Sequence, residues 1–503
     1  MTEPAAPAPA SGKVTGTAKY PSDINRRGLL QGRVLRCPFA HAKITALDIS
    51  AAQSLPGVRA VRVLQGVGAE IQWALDAVAL VAAVSGDIAE DALRAVAVAY
   101  EVLPHFVNEE KPEQAPGSQP GEEQAAGDPD AALAAASARA KGTYGLPATA
   151  RNRLEPHGQI YDGTETKDLL PTPLDAEAAE LARMAGAPVK LVLDRAAELA
   201  VAGDRPAVYA EITAGAADDG AFTAWISKSW GAGDPSLPSV FQIPARRHRH
   251  TVVLSNTAGS QAPYPPKGFY PTMSALDDLA AKLGLDPYDV LLKNLPLTRL
   301  PEVYKQEMEI AAQLMSWRAR WHPRGYAGPG PVLRGLGLSL HLWDGVHAGS
   351  GEPAAGAGVQ MAQVAVDVET GVVKVERMIA VQDCGQVADL KAMESWVQGA
   401  LILGISSTLA EEKVFDPLTG RMLNVDFESY KMAGIGDVGE LSVHLMAGPG
   451  YDERGVLDLG EPPLGSSAAA VANAVANAIG IRVPVLPLTP ERVLNALTAK
   501  GTA

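Results

Sequence analysis

Apolar and polar residues alternate along 28–50 (GLLQGRVLRCPFAHAKITALDIS), with β-branched residues among them. That two-residue period is the pattern of half-buried strands. Residues 57–66 (GVRAVRVLQG) predict another strand, and 79–104 read as strand, turn, helix, strand, with Asp87 near the helix start. From Lys111 to Asp130 (KPEQAPGSQPGEEQAAGDPD) the apolar anchors vanish, which predicts a solvated linker. Residues 131–147 predict a helix feeding a strand.

Further on, 175–200 read as helix, glycine break, strand, then a turn or helix. Residues 206–230 predict a hairpin about the turn Asp218–Asp219–Gly220. Two helices follow over 272–295, the first ending at Gly284 and the second with Asp286 as N-cap and Pro287 behind it. Two long strands over 358–385 flank the turn Glu369–Thr370–Gly371, and a helix runs from about Lys391 to Leu409. Near the end, GSSAAAVANAVANAIG predicts a helix capped by Ser466 or Ser467 and stopped by Gly480, and LTPERVLNAL another capped by Thr489. The pattern gives an α+β fold with a tail over 1–11, a domain over 12–110, the linker 111–130, and regions over 131–330 and 331–503.

Composition narrows the function. The 503 residues carry a formal net charge of −14, which argues against a general binder of nucleic acid or anionic membrane. Two cysteines, Cys37 and Cys384, exclude a disulfide framework and any Cys₄ iron–sulfur cluster held by this chain alone. No metal site is expected from the chain's own residues. The Pro/Ala-rich start lacks the layout of a signal peptide, and no apolar run is long enough to span a membrane. Cytoplasmic residence is the resulting expectation.

Glu461 stands between a glycine and two prolines, just before an Ala-rich helix. The plain alternative to a catalytic carboxylate is a turn residue near a helix N-terminus. Gln382 and Cys384 sit at a predicted strand end, where a strand-ending turn with a buried thiol is the plainer reading. The run Pro244–Thr251 (PARRHRHT) concentrates basic side chains, with His248 and His250 on one strand face. A solvated or intersubunit strand is expected there. His341, Trp343 and His347 suggest an aromatic-lined seam, and the Gly-Glu-Pro at 351–353 is a decoy without a helix after it.

In order, GKVTGTAKYPSD, GRVLRCPFAHAKI, LEPHG, APVKLVLDRAAEL, GDRPAVYAEI, LDDLAAKLGLDPYDVLLKNL, VQDCG and LGEPP resemble blocks of the molybdenum-binding large subunit of the xanthine dehydrogenase / aldehyde oxidoreductase family. The resemblance spans nearly the whole chain. It implies a hammerhead-like N-terminal domain followed by a reduced molybdopterin-binding-domain-like α+β region. It also implies Glu461 as general base, and Gln382, Cys384, Gly385, Ala262, Gly460 and Ser466 near a molybdopterin cofactor. Iron–sulfur small subunits, or an intact paralogous large subunit, are the implied partners in a hetero- or homo-oligomer.

The same comparison exposes losses. No Gly-rich loop lies between 158 and 188, Gln261 and Tyr264 replace the Arg and Gly of the family's Arg-Ala-Pro-Gly turn, and the long segment expected after 345 is nearly gone. Most of the cofactor cradle is therefore expected to be lost. Two readings follow: a non-catalytic paralogue that pairs with or docks active subunits, and an active hydroxylase oxidising an aldehyde or N-heterocycle. A sequence that omits residues of the natural protein would give the same pattern.

Overall fold

The structure, a computed structural model, describes residues 10–161, 175–259, 268–326, 328–346, 353–457 and 464–501. Its three larger sheets account for most of the elements that the alternation predicts, and the fold is the mixed α+β expected.

The first sheet runs, in spatial order, Gly158–Tyr161, Val189–Val192, Leu30–Arg36, Ala77–Ala83 and Val58–Val63. Every residue of Ala77–Ala83 is buried, because both faces are covered. Leu80 and Ala82 meet the helix Asp175–Ala185, while Val81 and Ala83 meet the helix Gly86–Ala95. Leu30–Arg36 also pairs in parallel with Val189–Val192, so this sheet crosses the boundary expected near 110.

The second sheet corrects the expected linker. Gln119–Ala126 is an exposed strand at the sheet's edge, paired antiparallel with Ala245–Val252. Backbone hydrogen bonds hold an edge strand without apolar side chains, so composition alone missed it. The predicted hairpin is present as Val208–Ala216 and Phe222–Gly231, with Gly220 at φ +85° in its turn. Ala245–Val252 lies inside the sheet, and His248 and His250 are buried, against the solvated alternative of the expected solvated or intersubunit strand.

The third sheet runs Val332–Val346, Pro353–Asp367, Val373–Asp383 and Glu440–Met446. Across the first two strands lies the helix Leu464–Ile479, all sixteen of whose residues are buried. Such a helix is apolar all round because it sits inside the core. Its small side chains allow a close approach that also needs Gly335 and Gly337. A Cβ at either would collide with the helix backbone at Ala474 or Ala470. Ser466 and Ser467, expected as N-caps, lie within the helix as its third and fourth residues. The helix Phe269–Leu283 packs beside it, fixed by Asp277 to Arg482 (2.9 Å) and Asp278 to Arg324 (2.7 Å).

Candidate functional site

Register brings the predicted residues to one end of the third sheet. His341 lies opposite Gly358, which lies opposite Gln382 on the strand Val373–Asp383. One row back, Ser339 faces Gln360, and the buried helix Leu464–Ile479 reaches both. Ser466 Oγ donates to Ser339 Oγ (3.0 Å) and Ser467 Oγ to Gln360 Oε1 (2.6 Å). Gln382 and Ser466 therefore come to the same face of the sheet.

Gln382 is fully engaged. His341 Nε2 pairs with its Oε1 at 3.0 Å, and its amide donates to Ala357 O (2.8 Å) and Asp383 O (2.9 Å). The carbonyl accepts, so the His341 proton sits on Nε2. Its Nδ1 then faces the interior with no partner among the described residues. Burial lowers the His341 pKa to about 4, against which the Gln382 bond works only in part.

Cys384 follows the strand end. It packs with Leu457, Trp343 and Trp396, and burial pushes its thiol up to about 12. Such a thiol is neutral and unreactive at neutral pH. Gly385, at φ +62°, donates its N–H to Asp383 Oδ1 (3.0 Å). Asp383 Oδ2 accepts from Arg454 (2.7 Å), whose other nitrogen bonds Ala355 O (3.0 Å).

Ala262, Gly460 and Glu461 lie outside the described residues, as does His347. The chain reaches that gap at Leu457, whose N–H donates to Cys384 O (3.3 Å), and re-enters at Leu464 on the helix that carries Ser466.

One acid here went unnoticed in the sequence. Glu307, on the helix Pro301–Met315, is fully buried, and among the described residues neither carboxylate oxygen has a hydrogen-bond partner of good geometry. Burial first, then the charge of Asp383, pushes its carboxyl well above the usual range. The available signal was its position: Tyr304, Met308, Ala311 and Met315 place position 307 on the buried stripe.

Among the described residues, the groups expected near a pterin do not present it with free donors. A cradle needs donors left free for the ligand. Gln382, Gly385 and Ser466 all use theirs inside the chain, and His341 fills the space above Gly358, where a Cβ would collide with its ring. Among the described residues, no group of three or more His, Cys, Asp or Glu is placed to hold a metal ion. His248 and His250 bind Ser227 (2.8 Å) and Ser229 (2.8 Å) instead, with Asp234 on the far side of His248 (3.1 Å).

Comparison with known proteins fixes the lineage. Molybdopterin cofactor-binding domain families match residues 166–295 and 305–439. A nicotinate dehydrogenase subunit of Pseudomonas putida is 26% identical over 588 aligned residues, covering 97% of this chain and 46% of the relative. The chain belongs to the xanthine dehydrogenase / aldehyde oxidoreductase family. Within that family, the aldehyde oxidoreductase molybdenum-binding subunit of Escherichia coli is 34% identical over 137 residues, 27% of this chain and 19% of the relative. The chain thus spans less than half the length of these curated relatives. Among solved structures, quinoline 2-oxidoreductase from Pseudomonas putida 86 superposes with TM-score 0.80 at 17% identity, over 97% of both chains. The aldehyde oxidoreductase of Desulfovibrio gigas gives 0.80 at 19% identity, over 97% of this chain and 79% of that one. At that identity the likeness speaks for the fold, which is that of the family's large subunits. Among the described residues, no helix is long and apolar enough to cross a membrane.

Proposed function

We propose that this chain is a non-catalytic structural subunit of a cytoplasmic molybdenum-hydroxylase-type oxidoreductase complex. It pairs with or docks an intact paralogous large subunit, an iron–sulfur small subunit, or both. The observation that carries this reading is the closed end of the third sheet. Gln382, Gly385 and Ser466 have no donor left for a cofactor, and Cys384 is buried with its thiol neutral.

A second reading is an active hydroxylase of an aldehyde or N-heterocycle, with Glu461 as general base. It is favoured by the 26% identity to the nicotinate dehydrogenase chain, which extends over 97% of this one.

The two separate on one measurement: molybdenum and released pterin per mole of purified chain, alone and with whatever co-purifies. The structural reading expects neither on the isolated chain and both in the assembly. Near-stoichiometric molybdenum on the isolated chain would overturn it, and Glu461→Gln would then be expected to abolish turnover.

A further inference from the structure

A cavity of about 350 Å³ opens away from that closed end, where the loop after the first domain, the second sheet and the C-terminal region meet. Glu109 and Glu110 come from the loop, Asp204 and Tyr209 from the middle of the chain, and Glu412, Lys413 and Arg492 from the last third. Its size is that of a small-molecule site.

The charges inside it are unequally satisfied. Lys413, almost wholly buried, is taken up by Asp204 (3.3 Å) and by Ala200 O (3.3 Å). Arg492 is taken up by Glu412 (2.8 Å) and Pro487 O (3.2 Å). Both of these cations are thus ion-paired within the cavity wall. Among the described residues neither Glu109 nor Glu110 forms an ion pair, although the charge of Lys413 acts on Glu109, which accepts from Ser255 Oγ (2.7 Å). Burial, and after it the charge of Asp204, holds the Glu109 carboxyl above its ordinary range.

Two nearly buried polar groups point the same way. Asp204 is 5% exposed, and its Oδ1 has no hydrogen-bond partner. Tyr209 is 6% exposed and stacks on Trp230 at 5.9 Å. Its hydroxyl lies in the field of Glu109, Glu110 and Glu412 and makes no hydrogen bond among the described residues. A buried carboxylate oxygen left without a partner is costly, so a cavity lined by Asp204 Oδ1 and the Tyr209 hydroxyl is shaped for a donor-bearing ligand.

The walls complete the picture. Phe415 and Thr257 line this cavity and also a second, mostly apolar one of about 110 Å³ beside it. A ligand seated here would put donors among carboxylates and an apolar body against Phe415.

We infer that this cavity binds a small organic cation, its N–H groups held by Glu109, Glu110 and the Tyr209 hydroxyl and its apolar part resting on Phe415. A protonated amine or an amidinium on a hydrocarbon or aromatic body has that chemistry. The site is independent of whether this chain carries molybdenum.

The test is calorimetric titration of the full-length chain with benzamidine, with neutral benzamide and anionic benzoate as shape-matched controls. Benzamidine is expected to bind saturably at one site, with benzoate giving no binding. The double variant Glu109→Gln/Glu110→Gln, checked for folding by circular dichroism, is expected to weaken benzamidine at least about tenfold. Tyr209→Phe keeps the stacked ring and is expected to weaken it severalfold. It decides the question should the double variant fail to fold. Absence of saturable benzamidine binding, benzoate binding as tightly, or affinity unchanged in these variants would each overturn the inference.

Discussion

The closed end of the third sheet and the open cavity both gather polar groups. The closed end joins most of them to one another, with His341 Nδ1 and the Glu307 carboxylate the exceptions among the described residues, whereas the cavity leaves its carboxylates facing open space. At the closed end, Gln382 makes three hydrogen bonds, Ser466 and Ser467 one each, and Asp383 is neutralised by Arg454. In the cavity, among the described residues, Glu109 and Glu110 form no ion pair, Asp204 Oδ1 has no hydrogen-bond partner, and the Tyr209 hydroxyl faces the open space. A polar group satisfied inside the chain contributes to stability, and one that faces an open cavity without a partner is available to a ligand. The contrast separates what the fold uses to stand from what it holds ready, and it runs against family resemblance, which had pointed to the closed end.

The sharpest way to break this contrast is Gln382→Leu. The change leaves the His341 N–H and the carbonyls of Ala357 and Asp383 buried without their partner. At roughly 1–3 kcal/mol for each unsatisfied group, a loss of about 3 kcal/mol or more is expected in urea unfolding. A loss below about 1 kcal/mol would mean that water reaches these groups and that the end is open after all.

The next test uses pH. His341 is neutral in the fold, with its pKa lowered to about 4 from 6.5. The unfolded chain binds a proton there first, so the contribution of His341 is whole above pH 6.5 and lost as pH falls toward 4. Glu307 has the opposite sign: its raised pKa keeps it protonated in the fold, so its contribution falls as pH rises above 4.5. The two act in one chain, so the informative quantity is the difference between the wild type and His341→Gln. Between pH 7 and 5 the wild type is expected to lose about 2 kcal/mol relative to the variant. Equal slopes would mean that solvent reaches the imidazole.

How far the sequence foretold these two regions depends on the kind of signal each gives. Strands and helices with a clear period were legible: Val208–Ala216 and Phe222–Gly231 about Gly220, Pro287 behind its cap Asp286, and the all-buried helix ending at Gly480. Gln119–Ala126 was not, because an exposed edge strand is held by backbone bonds that side-chain composition does not encode. Ser466 and Ser467 were placed as caps because serine prefers that position, and the core overrode the preference by giving them partners on the sheet. Motif resemblance singled out Gln382 and Ser466, which the fold brings to one face. It was blind to His341 closing over them, and to a cavity whose walls come from positions as far apart as 109, 209 and 412. Such a site has no local motif, only tertiary proximity.

The smallest expected effect is the most discriminating. Tyr209 and Tyr430 are both buried tyrosines beside glutamates. Tyr430 donates to Glu411 (3.0 Å) and accepts from the Ala150 N–H (2.9 Å). Tyr209 does neither with any described group. Removing a hydroxyl that has two partners strands both, so Tyr430→Phe is expected to cost about 2 kcal/mol. Removing one that has none takes away only its hydration by the cavity, so Tyr209→Phe is expected to change stability by less than about 0.5 kcal/mol. Thermal and urea unfolding of the two variants, side by side, checks this. If Tyr209→Phe costs as much as Tyr430→Phe, the hydroxyl is bonded within the fold, and the cavity has no more chemistry on offer than the closed end. A near-silent Tyr209→Phe that nonetheless weakens benzamidine means that the hydroxyl serves the ligand and not the fold.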